Sequence, residues 1–161
     1  MAWIPRTKNK KADYLSKIVD PDDWGISVKV FKQLERLWGP YDEDWYASDY
    51  NTKVSVFFSR YWNPGAVGMD AFTSDWSGRN GWFVPPVYLI GRVLLNMELC
   101  KAFGTVIIPV WMTGRFWPIL CPDGKAFIKA VKDARYLPES DNVCVSGRGS
   151  NSVFSEKKLP C

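Results

Sequence analysis

The chain has 161 residues, enough for one domain, and 47% of them are hydrophobic, enough for a sizeable core. It contains no histidine and no Cys-x-x-Cys pair, which excludes a zinc finger and every histidine-based catalytic triad, and its four cysteines are expected to be free thiols. The net charge of +4 permits a nucleic-acid partner without requiring one. Because no long apolar run or secretory signal is visible, we expect an intracellular protein, nuclear or cytoplasmic, with no membrane partner.

The first clear element in chain order is a helix. Ser27 is a suitable N-cap, apolar residues recur at helical spacing between Val30 and Trp38, and Gly39-Pro40 ends the helix. Two strands are predicted after it, over residues 42–47 and 54–61, with a polar turn between them.

The second half of the chain alternates in the same way. In chain order the sequence predicts a short strand at 82–84 that runs into Pro85-Pro86, a helix at 87–100 with Gly104 beyond its end, a buried strand at 105–110 and a short helix at 127–131. From about residue 137 the chain is rich in Ser, Gly and Asn and is predicted to be loose.

This alternation favours an α/β fold, with a mostly parallel sheet and helices on both of its faces in a single domain. Ligands of such sheets bind beyond the carboxyl ends of the strands. The loops that follow 42–47 and 82–84 both open at that edge, so we expect a functional site there.

Several motifs occur around the rigid turn Val84-Pro85-Pro86-Val87. In chain order they are Asp23-Trp24, a helix ending in Trp-Gly-Pro at 38–40, Asp44-Trp45-Tyr46-Ala47-Ser48 with Asn51, the stretch 59–65, Asp70-Ala71-Phe72, Asp75-Trp76, the stretch 82–92, the strand at 105–109 and Phe116-Trp117-Pro118. Their order and spacing resemble the phage-type adenine-amino DNA methyltransferases. The resemblance is closer to the methyltransferase-like segment of DIRS-like, tyrosine-recombinase retroelement polyproteins, and it covers roughly residues 23–124.

The resemblance implies a Rossmann-like methyltransferase sandwich over residues 23–136, with S-adenosylmethionine as the cofactor and DNA as the partner. It implies cofactor contacts for Asp44, Ala47 and Asp70. Three further residues are implied at the nucleic acid: Trp82, Tyr88 and Arg92. The tryptophans Trp62 and Trp76 are alternative stacking residues, although large aromatic side chains more often belong to the core.

The turn at 84–87 stands where the family has its catalytic tetrad, Asp or Asn, two prolines and an aromatic residue. The tetrad's side-chain acceptor and a prolyl carbonyl hydrogen-bond the target amine and localise its lone pair, and the aromatic ring stacks on the flipped base. Val84 and Val87 can do neither, although the neighbouring Tyr88 could offer a ring. The sequence therefore predicts a degenerate tetrad and a protein without methyltransferase activity.

A second resemblance lies in front of the first. Trp3-Ile4-Pro5-Arg6 and the stretch 9–16 resemble the C-terminal edge of a retroelement RNase H domain, in which Asp13 matches a metal-binding carboxylate. Such chemistry needs several carboxylates around two ions, so Asp13 would act only with an upstream domain. We therefore expect residues 1–22 to be this edge or a lead-in, and residues 137–161 to be a loose tail.

Three functional hypotheses remain open at this point. The chain is a retroelement-derived fragment with a degenerate, nucleic-acid-associated methyltransferase-like domain; or an active S-adenosylmethionine-dependent DNA adenine methyltransferase; or a part of a reverse transcriptase and RNase H polyprotein with no activity of its own. The sequence does not predict an oligomeric state.

Overall fold

The fold combines seven short strands with three short helices among the residues that a computed structural model describes, which are 18, 20–140 and 142–149. In chain order the elements are strand β1 (Trp24–Ile26), helix α1 (Val28–Trp38), strands β2 (Glu43–Asp44), β3 (Phe58–Ser59) and β4 (Gly68–Met69), a 3-10 turn (Ala71–Thr73), strand β5 (Asn80–Phe83), a 3-10 turn (Val87–Leu89), helix α2 (Ile90–Cys100), strand β6 (Phe103–Val106), helix α3 (Trp117–Leu120) and strand β7 (Cys144–Ser146). No helix within these residues is long and apolar enough to cross a membrane.

Parallel strands form the centre of the fold. β5 lies between β2 and β6, and all three are parallel. β3 and β4 form a second parallel pair, which a parallel bridge between Asp44 and Phe57 connects to β2. The order across the structure is therefore β4-β3-β2-β5-β6, and the direction in which the chain adds strands reverses between β2 and β5.

Helix α1 forms as its sequence predicts. The Ser27 hydroxyl accepts a hydrogen bond from the Val30 amide at 3.5 Å, and the Gly39 amide donates to the Glu35 carbonyl at 2.8 Å where the helix ends. The cap satisfies an amide that the first turn leaves without an intrahelical partner.

The two faces of the sheet carry separate apolar clusters because side chains alternate along β5. Trp82 packs against α1, with its ring edge-on to Phe31 at 4.9 Å between ring centroids. The next residue, Phe83, packs on the other face with Trp76 and with Val93 of α2. Helices thus lie on both faces, as predicted, and the α/β class with a parallel sheet is confirmed.

Element boundaries differ from the prediction in several places. Helix α2 begins at Ile90 after a 3-10 turn, and Lys101 in the left-handed region (φ 53°) ends it. Gly104 lies inside β6 instead, because the β5 backbone approaches it closely: a Cβ there would lie 2.1 Å from the Gly81 carbonyl oxygen. The helix predicted at 127–131 is wrong, since that stretch forms turns and the short helix is α3.

Part of the tail that was predicted to be loose belongs to the fold. β7 pairs antiparallel with β1, and Val143 is buried against the cluster that contains Trp24. The prediction of a loose tail is wrong over 143–146, because the burial of Val143 and the pairing with β1 order these residues despite their polar surroundings in the sequence. The three thiols that the structure describes, Cys100, Cys121 and Cys144, are free as expected.

Candidate functional site

A cleft opens at the carboxyl edge of the parallel strands, beside the reversal between β2 and β5. Its volume of about 60 Å³ is room for about four water molecules at about 15 Å³ each. The lining residues come from the segment before β1, from the end of β3, from the loops after β2, β3 and β5, and from Arg148 beyond β7. They are Ile18, Asp20, Asp23, Tyr46, Ala47, Ser48, Asp49, Tyr50, Ser59, Arg60, Tyr61, Asn63, Pro86 and Arg148.

The Asp23 carboxylate organises one wall of this cleft. It accepts hydrogen bonds from the Ser48 hydroxyl at 3.0 Å, from the Asn51 side-chain amide at 3.0 Å and from the Tyr50 hydroxyl. Burial and the contact with Asp23 raise the pKa of Tyr50 to about 12. The Asn51 side chain also accepts from the Ser48 amide at 2.7 Å. The conformation of the loop 48–51 is therefore stabilised by hydrogen bonds among its own residues and with Asp23, which directly precedes β1.

Asp44 stabilises the same loop through the residues on either side of it. Its buried carboxyl accepts from the Lys53 amide at 3.2 Å and from the Tyr46 amide at 3.4 Å. Burial raises the pKa of Asp44 to about 7, against the opposing effect of those two amides. Asp44 does not line the cleft, so the structure places it where it positions the loop and not where it would contact a ligand in the cleft.

The turn at 84–87 lies at the carboxyl end of β5 and has no exposed hydrogen-bond acceptor of the expected kind. The Trp24 indole N–H donates to the Pro85 carbonyl at 3.0 Å, and the Leu89 amide donates to the Pro86 carbonyl at 2.8 Å. Val84, Pro85 and Pro86 are buried, although Pro86 also lines the cleft, and Val87 is half-buried. Each prolyl carbonyl thus accepts one hydrogen bond from within the chain and has one further lone pair.

The other residues implied by the resemblance are only partly brought together. Ala47 lines the cleft, and its amide donates to the Phe58 carbonyl at 3.0 Å. Asp70 is exposed and caps the 3-10 turn through the Phe72 amide at 3.3 Å. The Arg92 guanidinium lies 3.8 Å from the centroid of the Phe72 ring, outside the cleft lining.

Two aromatic residues differ sharply in their availability to a ligand. Tyr88 is 50% exposed, and the Arg60 guanidinium lies 5.0 Å from the centroids of both the Tyr88 and Tyr61 rings. Trp82 is only 1% exposed and belongs to the core beside α1. The prediction that Trp82 stacks on a nucleic acid is therefore wrong, because the ring has no free face. Trp76 is buried in the same way, while Trp62 is exposed.

Tyr46 presents a polar atom that its surroundings leave unsatisfied. Its hydroxyl is buried and has no hydrogen-bond partner among the described residues. Burial raises its pKa, the Asp70 carboxylate raises it further, and the Arg92 guanidinium opposes both. Tyr46 thus lies between the cleft that it lines and the two charged residues outside it.

The metal-binding expectation falls on Asp13, which lies outside the described residues. Within residues 18–149, apart from the two positions that the structure leaves out, no group of three or more Cys, Asp or Glu side chains could hold a metal ion. Comparison of the chain with the known protein families, with curated proteins and with solved structures found no match.

Sequence reasoning predicted none of the five charged residues that line the cleft as site residues: Asp20, Asp23, Asp49, Arg60 and Arg148. The position of Arg60 directly after β3 could have indicated it, since carboxyl-edge residues face ligands in parallel sheets. No sequence pattern indicated Arg148, because its approach depends on the pairing of β7 with β1.

Proposed function

We propose that this chain is a Rossmann-like, methyltransferase-like domain of retroelement origin that binds a nucleoside such as S-adenosylmethionine and does not transfer a methyl group. The observation that carries the proposal is the strand order β4-β3-β2-β5-β6, in which the parallel sheet β2-β5-β6 and the parallel pair β3-β4 meet through the single parallel bridge between Asp44 and Phe57. Counted from β2, this is the order 3-2-1-4-5 of doubly wound nucleotide-binding sheets, whose ligands lie at the point of reversal. The cleft lies at that point.

Loss of methyl transfer follows from the turn at 84–87. Val84 offers no hydrogen-bond acceptor and Val87 no ring, and each prolyl carbonyl already has a donor from its own chain. Loss of one such electrostatic contact typically lowers a catalytic rate on the order of 10²–10³-fold. An amine brought to this turn would find neither the side-chain acceptor nor the stacking ring that activate it.

The charges of the cleft suit S-adenosylmethionine better than they suit a phosphate. Three carboxylates, Asp20, Asp23 and Asp49, face two guanidinium groups, Arg60 and Arg148. The excess of one negative charge favours S-adenosylmethionine, whose sulfonium and ammonium outweigh its carboxylate, over an anionic phosphate. The polar side chains of Ser48 and Asn63 could hold the ribose hydroxyls. The cofactor would supply an activated methyl group, which this chain has no residues to use.

Association with DNA is the second component of the proposal. It is supported by the net charge of +4 and by the exposed pair Tyr88 and Arg92. Because the cleft itself is net acidic, the phosphates would have to contact the surface around it. Binding to single- and double-stranded DNA at several salt concentrations tests this role, with a steep fall in affinity as salt rises. An affinity that does not change with salt would remove DNA from the proposal.

Calorimetry with S-adenosylmethionine, combined with transfer of a labelled methyl group to DNA, tests the main proposal. We expect binding without transfer. The variant Asp20→Asn removes one carboxylate of the cleft without touching the ion pair between Arg148 and Asp49, and it should weaken binding of the cationic cofactor. Transfer by the unmodified chain would contradict the loss of catalysis, and absence of binding would contradict the nucleoside site.

A further inference from the structure

A segment that is not part of the parallel sheet contributes to the lining of the cleft. We name residues 144–148, which comprise β7 with Gly147 and Arg148, the strap. Arg148 lines the cleft, although it lies far along the chain from the loops of the sheet. The remaining volume of about 60 Å³ is far below the roughly 300 Å³ at which pockets for small-molecule ligands begin.

Four contacts hold the end of the strap over the cleft. The Gly147 amide donates to the Asp23 carbonyl at 3.0 Å, and the Arg148 amide donates to the Tyr50 hydroxyl at 2.9 Å. The Arg148 guanidinium lies 4.1 Å from the centroid of the Tyr50 ring and forms an ion pair with Asp49 at 3.7 Å. Asp49 and Tyr50 belong to the loop that forms one wall of the cleft, so Arg148 occupies space at its mouth.

The strap is weakly attached compared with the sheet. β7 has a single neighbour, β1, and pairs with it through three residues, with Val145 and Ser146 exposed. The ion pair of Arg148 with Asp49 joins two exposed side chains, and such pairs contribute little to stability. Elements with few buried apolar contacts open locally without unfolding of the whole domain. The buried anchor, Val143, precedes the strap and can stay in place.

We propose that the strap is a cis-acting closure of the cleft: Arg148 fills the mouth in the state seen here, and a nucleoside enters only when the strap has moved away. This inference rests on the proposed function in that the ligand is a nucleoside. The opening itself does not depend on a ligand, because the contacts that it breaks all lie within the chain.

The opening is tested without ligand by amide hydrogen exchange. We expect the Gly147 and Arg148 amides to exchange at least about 100-fold faster than the Ile107 amide, because local opening exposes the strap while the sheet stays folded. The Ile107 amide donates to the Phe83 carbonyl at 2.9 Å at the centre of the fold and so reports the sheet. Equal exchange rates at Gly147 and Ile107 would overturn the proposal, because the strap would then open only when the sheet does.

The closure is tested with Arg148→Ala and the matched control Arg135→Ala. Both arginine side chains are 58% exposed and pair with an aspartate, but only Arg148 lines the cleft. We expect Arg148→Ala to speed exchange at Gly147 and to bind S-adenosylmethionine about tenfold more tightly, since apparent affinity scales with the open fraction. Arg135→Ala should match the unmodified chain in both measurements.

The outcomes separate the two proposals. Equal affinity for S-adenosylmethionine in the unmodified chain and in both variants would overturn the strap and leave the proposed function intact. Absence of binding in all three proteins would overturn the proposed function, and the exchange rates at Gly147 would then decide the strap alone.

Discussion

The interior of the sheet and its carboxyl edge meet in one short stretch of chain, residues 82–87. The two regions differ in the side chains that they contain. Trp82 and Phe83 of β5 are buried on opposite faces, each in an aromatic cluster that joins the sheet to a helix. The next four residues, 84–87, keep a rigid pair of prolines between two valines that can neither accept a hydrogen bond nor stack. Val84 packs in the same apolar cluster as Trp82. The interior is therefore defined by packing, whereas residues 84–87 bring no polar side chain to the carboxyl edge.

The largest effect that would sharpen this comparison is expected in the interior. Replacement Trp82→Ala should lower the free energy of unfolding by about 3–5 kcal/mol, because it leaves a cavity between β5 and α1. Trp62→Ala is the control at the carboxyl edge, where the side chain is 52% exposed, and should change stability by no more than about 0.5 kcal/mol. Denaturant unfolding measures both. Similar losses of stability in the two variants would contradict the comparison, because the exposed Trp62 would then contribute as much to stability as the buried Trp82.

Asp44 should make stability depend on pH. Its pKa is about 7 in the fold and 3.8 as an ordinary aspartate, so its protonated form favours folding. The contribution is fully present below about pH 4 and is lost as pH rises through 7, with a total on the order of a few kcal/mol. Asp44→Asn should remove this slope, as measured by unfolding at several pH values.

Asp75→Asn is the control for this pH dependence. The amide and hydroxyl of Ser77 lower the pKa of Asp75, so its ionisation affects stability only below about pH 4. A slope between pH 4 and 7 that survives Asp44→Asn would show that another group is responsible.

Two tyrosines provide a smaller but closely matched contrast. The Tyr41 hydroxyl is paired with the Thr105 hydroxyl at 2.8 Å in the core, and the buried Tyr46 hydroxyl beside the cleft has no partner. Tyr41→Phe should cost about 1–3 kcal/mol because it leaves a buried hydroxyl unpaired, whereas Tyr46→Phe should be neutral or stabilising. Thermal unfolding compares them. A loss of stability from Tyr46→Phe similar to that from Tyr41→Phe would show that the Tyr46 hydroxyl is satisfied in solution.

Local signals in the sequence predicted the interior well. Helix α1 follows from its Ser27 cap, its apolar spacing and Gly39-Pro40, all of which act within a few residues. Alternation of strands and helices predicted the parallel sheet and the edge where the cleft lies. The limits of the strands and helices differ from the predicted ones. Gly104, for example, allows the backbones of two strands to approach closely and does not end a helix.

The carboxyl edge was predictable only where one segment carries the signal. The turn at 84–87 was found because its four residues are contiguous. Two contacts at this edge join residues that are distant in the chain. They are the hydrogen bond from Trp24 to the Pro85 carbonyl and the hydrogen bond from the Arg148 amide to the Tyr50 hydroxyl. The second of these contacts depends on the pairing of β7 with β1, which the polar composition of residues 137–161 did not indicate.

Methyl transfer by a variant that carries the full tetrad tests the proposed function most directly. The double variant Val84→Asn and Val87→Tyr places a hydrogen-bond acceptor and an aromatic ring on either side of Pro85-Pro86, and its transfer of labelled methyl from S-adenosylmethionine to adenine in DNA is compared with that of the unmodified chain. If the fold and cleft are intact and only these groups are lost, the variant should transfer methyl groups and the unmodified chain should not. Transfer by the unmodified chain, or none by a folded double variant, would contradict the account.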